Sequence, residues 1–329
     1  MEEINSRNTD YILRADNLSK QFALDAGFFA KTENRVFAVN EVSFGIERGK
    51  TYGLVGESGC GKTTTARMLV RMYKADGGKI FYKENPASTE QEIQLFNRKE
   101  LRAYREKIKY VFQDPARSLN PRKTIYDVLT ASYRYSSLWQ GKDEARARAA
   151  KLMQEVGLSP DDLERRPSEF SGGQRQRISI ARALIMNPQL VFCDEVVSAL
   201  DVSVQSQILK LLLEIRQKRG ISYLFIAHDL RVSCWFCDTI GVMYRGMLVE
   251  EAPTADLYNK ARHPYTQMLF ADSSFNGIKQ KGEVKSVLES LHACPFAHRC
   301  PKATDLCRQQ IPEWKECGDG HKVRCHFPD

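Results

Sequence analysis

Short apolar runs alternate with longer amphipathic stretches along this chain, and that alternation sets its architecture. Tyr11-Ile-Leu13, Val36-Phe-Ala-Val39 and Val42-Ser-Phe44 read as strands. A turn at Glu47-Arg-Gly-Lys50 then leads into Thr51-Tyr-Gly-Leu-Val55, a short buried strand, and Thr63 to Met72 reads as the helix behind it. Residues 83–105 are polar, carry Pro86 and show no strong period, so they read as a surface insertion before a strand at Ile108–Phe112. Residues 142–156 form an amphipathic helix stopped by Gly157. Gln189-Leu-Val-Phe-Cys193 is a strand that ends on two acids, followed by a helix over 203–218 closed by Gly220 and strands at Tyr223–Ala227 and Thr239–Met243. Buried strands alternating with helices predict a mostly parallel sheet with ligands at the strand C-terminal ends. The helix-rich stretch over 114–187 reads as a lateral helical subdomain. Past about 252 the pattern weakens, and the tail reads as an appended module.

Composition narrows the class. With 329 residues, 42% of them apolar and 27% charged, the chain is an ordinary globular one, and its length allows a large domain plus a smaller one. No apolar run approaches the roughly 20 residues that a bilayer span needs. The first residues, Met-Glu-Glu-Ile-Asn, show no basic and apolar leader, so a cytosolic location is expected. The net charge of +8 is dispersed, which suits an anionic ligand or a membrane face; nucleic acid is not an expected partner. Of nine cysteines, Cys60, Cys193, Cys234 and Cys237 lie early, while Cys294, Cys300, Cys307, Cys317 and Cys325 crowd into the tail. In a reducing compartment such a cluster points to a metal or iron–sulfur site ahead of disulfides. Cys234 and Cys237 also form a C-x₂-C, but beside Trp235 and Phe236 they read as core packing.

Two loops seek phosphate. Gly56-Glu-Ser-Gly-Cys-Gly-Lys-Thr63 satisfies G-x-x-x-x-G-K-[ST] between a strand and a helix. Its glycines let backbone N–H groups wrap phosphates, Lys62 reaches the β and γ oxygens, and Thr63 offers a hydroxyl to Mg²⁺. Ser58, Gly59, Cys60, Gly61 and Thr64 complete that ATP-binding stretch with Gly56. Ser171-Gly172-Gly173-Gln174 opens an apolar-periodic helix, and a bare helix start is an anion site. Asp194 at the end of its strand would hold Mg²⁺ through water, and Glu195 would act as general base on the attacking water. Gln113 follows a strand and can contact both metal and water. His228, at another strand end, can hydrogen-bond the γ-phosphate.

The phosphate loop, Gln113, Ser171-Gly-Gly-Gln174, Asp194-Glu195, Ser198-Ala-Leu-Asp201 and His228 stand in the order and at the spacing of ATP-binding-cassette (ABC) ATPases, and the resemblance covers about residues 10–255. It implies an α/β P-loop NTPase cassette with a RecA-like, mostly parallel sheet core, an antiparallel β subdomain and a helical subdomain. It also implies two cassettes packed head to tail, so that Ser171, Gly172, Gly173, Gln174 and Asp201 contact ATP held by the other copy. The adenine would stack on Phe37, with Phe28 and Phe29 competing for that role. Val111-Phe-Gln-Asp-Pro-Ala-Arg-Ser-Leu-Asn-Pro-Arg122, Ser198-Ala-Leu-Asp-Val-Ser-Val-Gln205 and Arg262-His-Pro-Tyr-Thr266 resemble the oligopeptide/dipeptide/nickel importer branch.

That branch implies an ATPase subunit spanning 1–251 with a Cys-rich C-terminal extension over 252–329. Its cofactors are ATP and Mg²⁺. Its partners are a second ATPase subunit (a paralogue in most of the branch), two transmembrane permease subunits and an extracytoplasmic substrate-binding protein, and its place is peripheral, on the cytoplasmic face of the inner membrane. A non-transport ABC ATPase of repair or translation type and a nucleotide-gated regulatory subunit stay as alternatives. Where the branch has Pro after the two acids this chain has Val196 and Val197, a change expected to loosen the turn while keeping both acids. In some members of the branch four cysteines hold a 4Fe–4S cluster, and Cys294, Cys300, Cys307 and Cys325 match them. Zn²⁺, with His298, His321 or His326 as further ligands, and unliganded thiols remain the alternatives.

Overall fold

A computed structural model describes residues 9–23, 35–114, 118–272, 292–318 and 320–329, and by its internal contacts the chain divides into one unit of residues 1–95 with 225–329 and another of 96–224. In the first unit, β1 (Tyr11–Ala23) and β2 (Arg35–Glu47) pair antiparallel over most of their length. With β4 (Gly77–Tyr82) and β5 (Gln91–Glu92) they form a four-stranded antiparallel sheet in the order β2-β1-β4-β5. Their registers slip at bulges, where Asn17 and Glu41 take a left-handed φ of 50°. Ile12, Leu13, Ala15, Leu18, Val42 and Phe44 are buried on this sheet.

The same unit holds, in this order across the sheet, β11 (Lys315–Glu316), β12 (Lys322–Val323), β10 (Met247–Pro253), β9 (Thr239–Tyr244) and β3 (Thr51–Val55). Here β3 (Thr51–Val55) runs parallel to β9 (Thr239–Tyr244), and all five residues of β3 are buried, as expected for a strand covered on both faces. Gly53 is needed for that packing, since a Cβ there would sit 2.7 Å from the Cys237 sulfur. Cys237 is therefore core, next to α7 (Leu230–Phe236), which carries the half-buried Cys234. Helix α1 (Lys62–Leu69) follows β3. After β10 (Met247–Pro253) come α8 (Thr254–Asn259), α9 (Pro264–Asp272), α10 (Asp305–Gln309), β11 (Lys315–Glu316) and β12 (Lys322–Val323). The tail is stitched into the sheet: β12 pairs with β10 through Glu250↔Val323 and Glu251↔Lys322. Glu250, fully buried, also accepts from the backbone N–H groups of Arg262 at 2.6 Å and His263 at 3.1 Å and lies 2.8 Å from His321 Nε2. A strand of only two residues left no periodic signal in the sequence.

The second unit begins with a helix in the stretch read as an insertion. α2 (Arg98–Lys107) is fixed by an Asn97–Glu100 capping box and buries Tyr104. Its exposed face carries nearly all its charge, so a single buried residue gave no visible period. The helix hands over to β6 (Ile108–Val111), parallel to β7 (Leu190–Asp194) in the register Ile108↔Leu190 to Val111↔Cys193. Between them lie α3 (Ile125–Thr130), α4 (Lys142–Glu155) and α5 (Gly172–Leu184), with no strand among the described residues. α6 (Val202–Arg219) ends at Gly220 in the left-handed region (φ 65°), and β8 (Ser222–Ala227) carries the chain back to the first unit.

Candidate functional site

The phosphate loop is shaped by close backbone approach. A Cβ on Gly56 would lie 2.1 Å from the Met243 carbonyl oxygen, and one on Gly61 (φ 107°) would lie 2.2 Å from that of Ala38. Neither contact leaves room for a side chain. Lys62 is 4% exposed and curls under the loop, its Nζ donating to the carbonyls of Gly56 at 2.7 Å and Glu57 at 2.8 Å. An ammonium held there is a fixed positive centre inside a ring of backbone. Ser58 and Gly59 are exposed at the loop tip, Thr63 and Thr64 are half-buried at the start of α1, and Cys60 is buried beneath. Burial pushes the Cys60 thiol up, against the pull of Lys62. Phe37 is half-buried on β2, opposite Gln21 of β1. Phe28 and Phe29 lie outside the described residues. In the same unit His228 is exposed at the end of β8, and Asp229 after it caps α7 by accepting from the N–H groups of Arg231 and Val232.

The second unit gathers the acids. Asp194 ends β7 at 4% exposure and accepts a 2.6 Å hydrogen bond from the Tyr110 hydroxyl. Tyr110 was missed from sequence because it looks like one more aromatic of a strand; only the β6–β7 register reveals its partner. Glu195 stands half-buried, and its Oε2 accepts from the Gln113 side-chain amide at 2.7 Å. Two predicted residues far apart in sequence are thus joined. In the Val196-Val197 turn both valines are buried, and the Ser198 hydroxyl and N–H both donate to the Glu195 carbonyl, at 2.9 and 3.2 Å.

The Ser171 segment is not a bare helix start. Ser171 Oγ accepts from the Gln174 N–H at 3.3 Å, and the Gln174 side-chain oxygen accepts from the Ser171 N–H at 2.9 Å, a reciprocal capping box. Gly172 has space for a Cβ, whereas one on Gly173 would approach Val204 Cγ1 to 2.7 Å. Asp201, exposed, sits at the N-cap of α6 without a side-chain capping bond.

In the tail, Cys294, Cys300, Cys307 and Cys325 line one cavity together with Phe296 and His326, and Cys317 is not part of its wall. The Cys294 N–H donates to the Cys307 carbonyl at 2.9 Å, which folds the first and third cysteines of the set together. Burial pushes the Cys294 thiol up to about 11, with the neighbouring thiols adding to the rise, and burial also raises Cys325. Among the described residues no group of three or more His, Cys, Asp or Glu side chains is set to hold a metal ion. The histidines weighed as zinc ligands are otherwise engaged: His321 with Glu250, His298 with the Tyr244 hydroxyl at 3.3 Å, and His326 with the Gln310 carbonyl at 3.1 Å.

A family profile described as ABC transporter matches residues 39–198, and one described as the C-terminal region of oligopeptide/dipeptide transporters matches residues 249–307. The chain is 40% identical to the oligopeptide transport ATP-binding protein AppF of Bacillus subtilis (strain 168), over 97% of this chain and 98% of that one. It is 40% identical to the dipeptide transport ATP-binding protein DppF of Escherichia coli (strain K12), over 97% of this chain and 95% of that one. The dimeric structure of a bacterial ABC transporter cassette matches with a TM-score of 0.62 at 25% identity, covering 74% of this chain and 98% of that one. No helix among the described residues is long and apolar enough to cross a membrane.

Proposed function

The chain belongs to the ABC transporter family, among the ATP-binding proteins of oligopeptide and dipeptide transport, and from that membership we propose how its residues divide the work. It is the ATP-hydrolysing subunit that powers peptide import through a membrane permease. The observation that carries this reading is the buried Lys62 threaded through the phosphate loop of a chain that matches an oligopeptide transport ATP-binding protein over 97% of its length.

Gly56, Ser58, Gly59, Cys60, Gly61, Lys62, Thr63 and Thr64 take the ATP phosphates, and Phe37 takes the adenine. Thr63, Gln113 and Asp194 hold Mg²⁺, which would neutralise phosphate charge; Asp194 suits that role because Tyr110 fixes its carboxylate. Glu195 takes a proton from the water that attacks the γ-phosphorus as the bond to the ADP oxygen breaks, and the Gln113 amide orients its carboxylate. His228 hydrogen-bonds the γ-phosphate.

Ser171, Gly172, Gly173, Gln174 and Asp201 act on ATP held by a second ATPase subunit, a reading supported by the similarity to a cassette solved as a dimer. That subunit is a paralogue, and the assembly of two ATPases, two permeases and an extracytoplasmic binding protein places this chain on the cytoplasmic face of the membrane. Residues 1–251 form the ATPase domain and 252–329 the extension. Within the extension, Cys294, Cys300, Cys307 and Cys325 hold a 4Fe–4S cluster with a structural role. Their shared, partly apolar cavity supports this.

The test is Glu195→Gln in the reconstituted complex. ATP binding is expected to persist while turnover drops at least a hundredfold; turnover at the wild-type rate would refute the assignment of the base. Anaerobically isolated protein with neither iron nor broad absorbance near roughly 400 nm would remove the cluster.

A further inference from the structure

One residue of the phosphate loop is tied down at its backbone N–H, its carboxylate and its backbone carbonyl, and the first two are held by the C-terminal segment. The Glu57 N–H donates to the Tyr265 hydroxyl oxygen at 2.9 Å. The Glu57 carboxylate accepts both Arg299 Nη1 and Nη2, at 2.9 and 3.0 Å. The Glu57 carbonyl accepts Lys62 Nζ at 2.8 Å. Tyr265 is fully buried, with its ring 4.6 Å from that of Tyr244 and 5.4 Å from that of Phe296. The Arg299 guanidinium lies over the rings of Tyr244 and Phe296, at 5.9 and 6.0 Å, and the Arg299 N–H donates to the Phe296 carbonyl at 3.0 Å. Both anchors therefore start from one aromatic cluster, and Phe296 of that cluster also walls the thiol cavity.

We infer that Tyr265 and Arg299 are positioning residues for ATP binding: the C-terminal segment holds Glu57, and through the Glu57 carbonyl it holds the Lys62 ammonium where the phosphates dock. The inference rests on the ATP-binding reading of the loop. A bidentate guanidinium–carboxylate pair fixes direction as well as distance, which a lysine cannot do. The pair is about a quarter exposed, with side-chain accessibilities of 21% and 27%, so salt weakens it only in part. A loop pre-set in this way binds ground state and transition state alike, so its loss raises KM and leaves kcat nearly unchanged.

The experiment measures MgATP affinity, KM and kcat on the full-length chain in its complex, for wild type, Arg299→Ala, Arg299→Lys, Tyr265→Phe, Glu57→Gln and the double variant Arg299→Ala/Glu57→Gln. Arg299→Ala is expected to weaken ATP binding and raise KM about tenfold with kcat within about twofold, and Arg299→Lys to recover only part of the loss. The double variant is expected to be no worse than the weaker single variant, because Arg299 acts through Glu57. Unchanged ATP affinity in a folded Arg299→Ala protein, or losses that multiply in the double variant, would overturn the inference. If Arg299→Ala does not fold, Glu57→Gln reads the same tie from the loop side, and wild-type affinity there overturns it equally. Wild-type protein that fails to bind MgATP would instead sink the ATPase reading, and this inference with it.

Discussion

Gly173 offers a test in which packing and catalysis separate. An added Cβ would meet Val204 Cγ1 at 2.7 Å, and Val204 is β-branched on α6, with little freedom to turn away. Overpacking of this kind costs about 1–3 kcal/mol. Against it stands the helix propensity gained when glycine becomes alanine, about 1 kcal/mol. Gly173→Ala should thus lower stability by about 1 kcal/mol, within a range of about 0–2 kcal/mol. In a Val204→Ala background the clash disappears and only the propensity gain remains, so the same substitution should become neutral or stabilise by up to about 1 kcal/mol. Urea denaturation of wild type, both single variants and the double variant reads the coupling directly. An equal cost of Gly173→Ala with and without Val204 would refute the contact. ATP turnover gives the other half: with stability restored, the double variant should still hydrolyse ATP at least tenfold more slowly if Gly173 acts on ATP held by a second subunit, as proposed, because the Cβ would then stand at the helix start that the γ-phosphate approaches. Recovery of turnover along with stability would assign Gly173 to packing alone.

Tyr110→Phe removes a charge-assisted bond to the buried Asp194 carboxylate, and should cost about 1–2 kcal/mol of stability and weaken Mg²⁺-dependent ATP binding. A variant with wild-type urea midpoint and wild-type Mg²⁺ dependence counts against that anchor. Glu155 at the end of α4 is nearly buried beside Arg219; burial raises its proton affinity, but the Arg219 hydrogen bond and charge outweigh this and leave it below the usual 4.5. The stabilisation is therefore fully present above about pH 4.5 and lost as the pH falls below it, so Glu155→Gln should flatten the acid limb of the urea midpoint; parallel limbs would deny the pairing. Cys60, buried and with its thiol raised, should react with iodoacetamide at pH 7.5 at least tenfold more slowly than a free small thiol, as read by mass spectrometry; equal rates would mean the loop opens freely.

The sequence made the chemistry more legible than the packing. The phosphate loop could be read because glycines, lysine and threonine in that order have few other uses, and because a buried strand precedes them. Strands β3, β7, β8 and β9 declared themselves as apolar runs, and helix ends at Gly157 and Gly220 followed from left-handed backbone at both glycines, φ 74° and 65°. What stayed hidden depends on partners distant in sequence. α2 buries chiefly Tyr104, so its period drowned in charge. β12 is a two-residue strand whose register is set by β10 and by the buried Glu250–His321 contact, neither of which a local window contains. Tyr110, Tyr265 and Arg299 are ordinary residues until the fold sets them beside Asp194 and Glu57.

The turn after the two acids shows how a missing residue is compensated by the fold. Proline at that position would restrict the backbone by its ring, and its replacement by Val196 predicts a looser loop. Glu195 instead holds a left-handed φ of 48°, a conformation that costs a non-glycine residue about 1 kcal/mol or more and persists only where its surroundings over-determine it. They do so here from both sides. Ser198 closes the turn on the Glu195 carbonyl through hydroxyl and N–H, while Val196 and Val197 bury their side chains at 2% and 5% exposure. Burial of two valines contributes on the order of 3 kcal/mol, enough to outweigh the backbone strain. The Glu195 carboxylate is held by the Gln113 amide and its backbone carbonyl by Ser198, so at this turn two buried valines and one serine make the contacts where a proline ring would restrict the backbone.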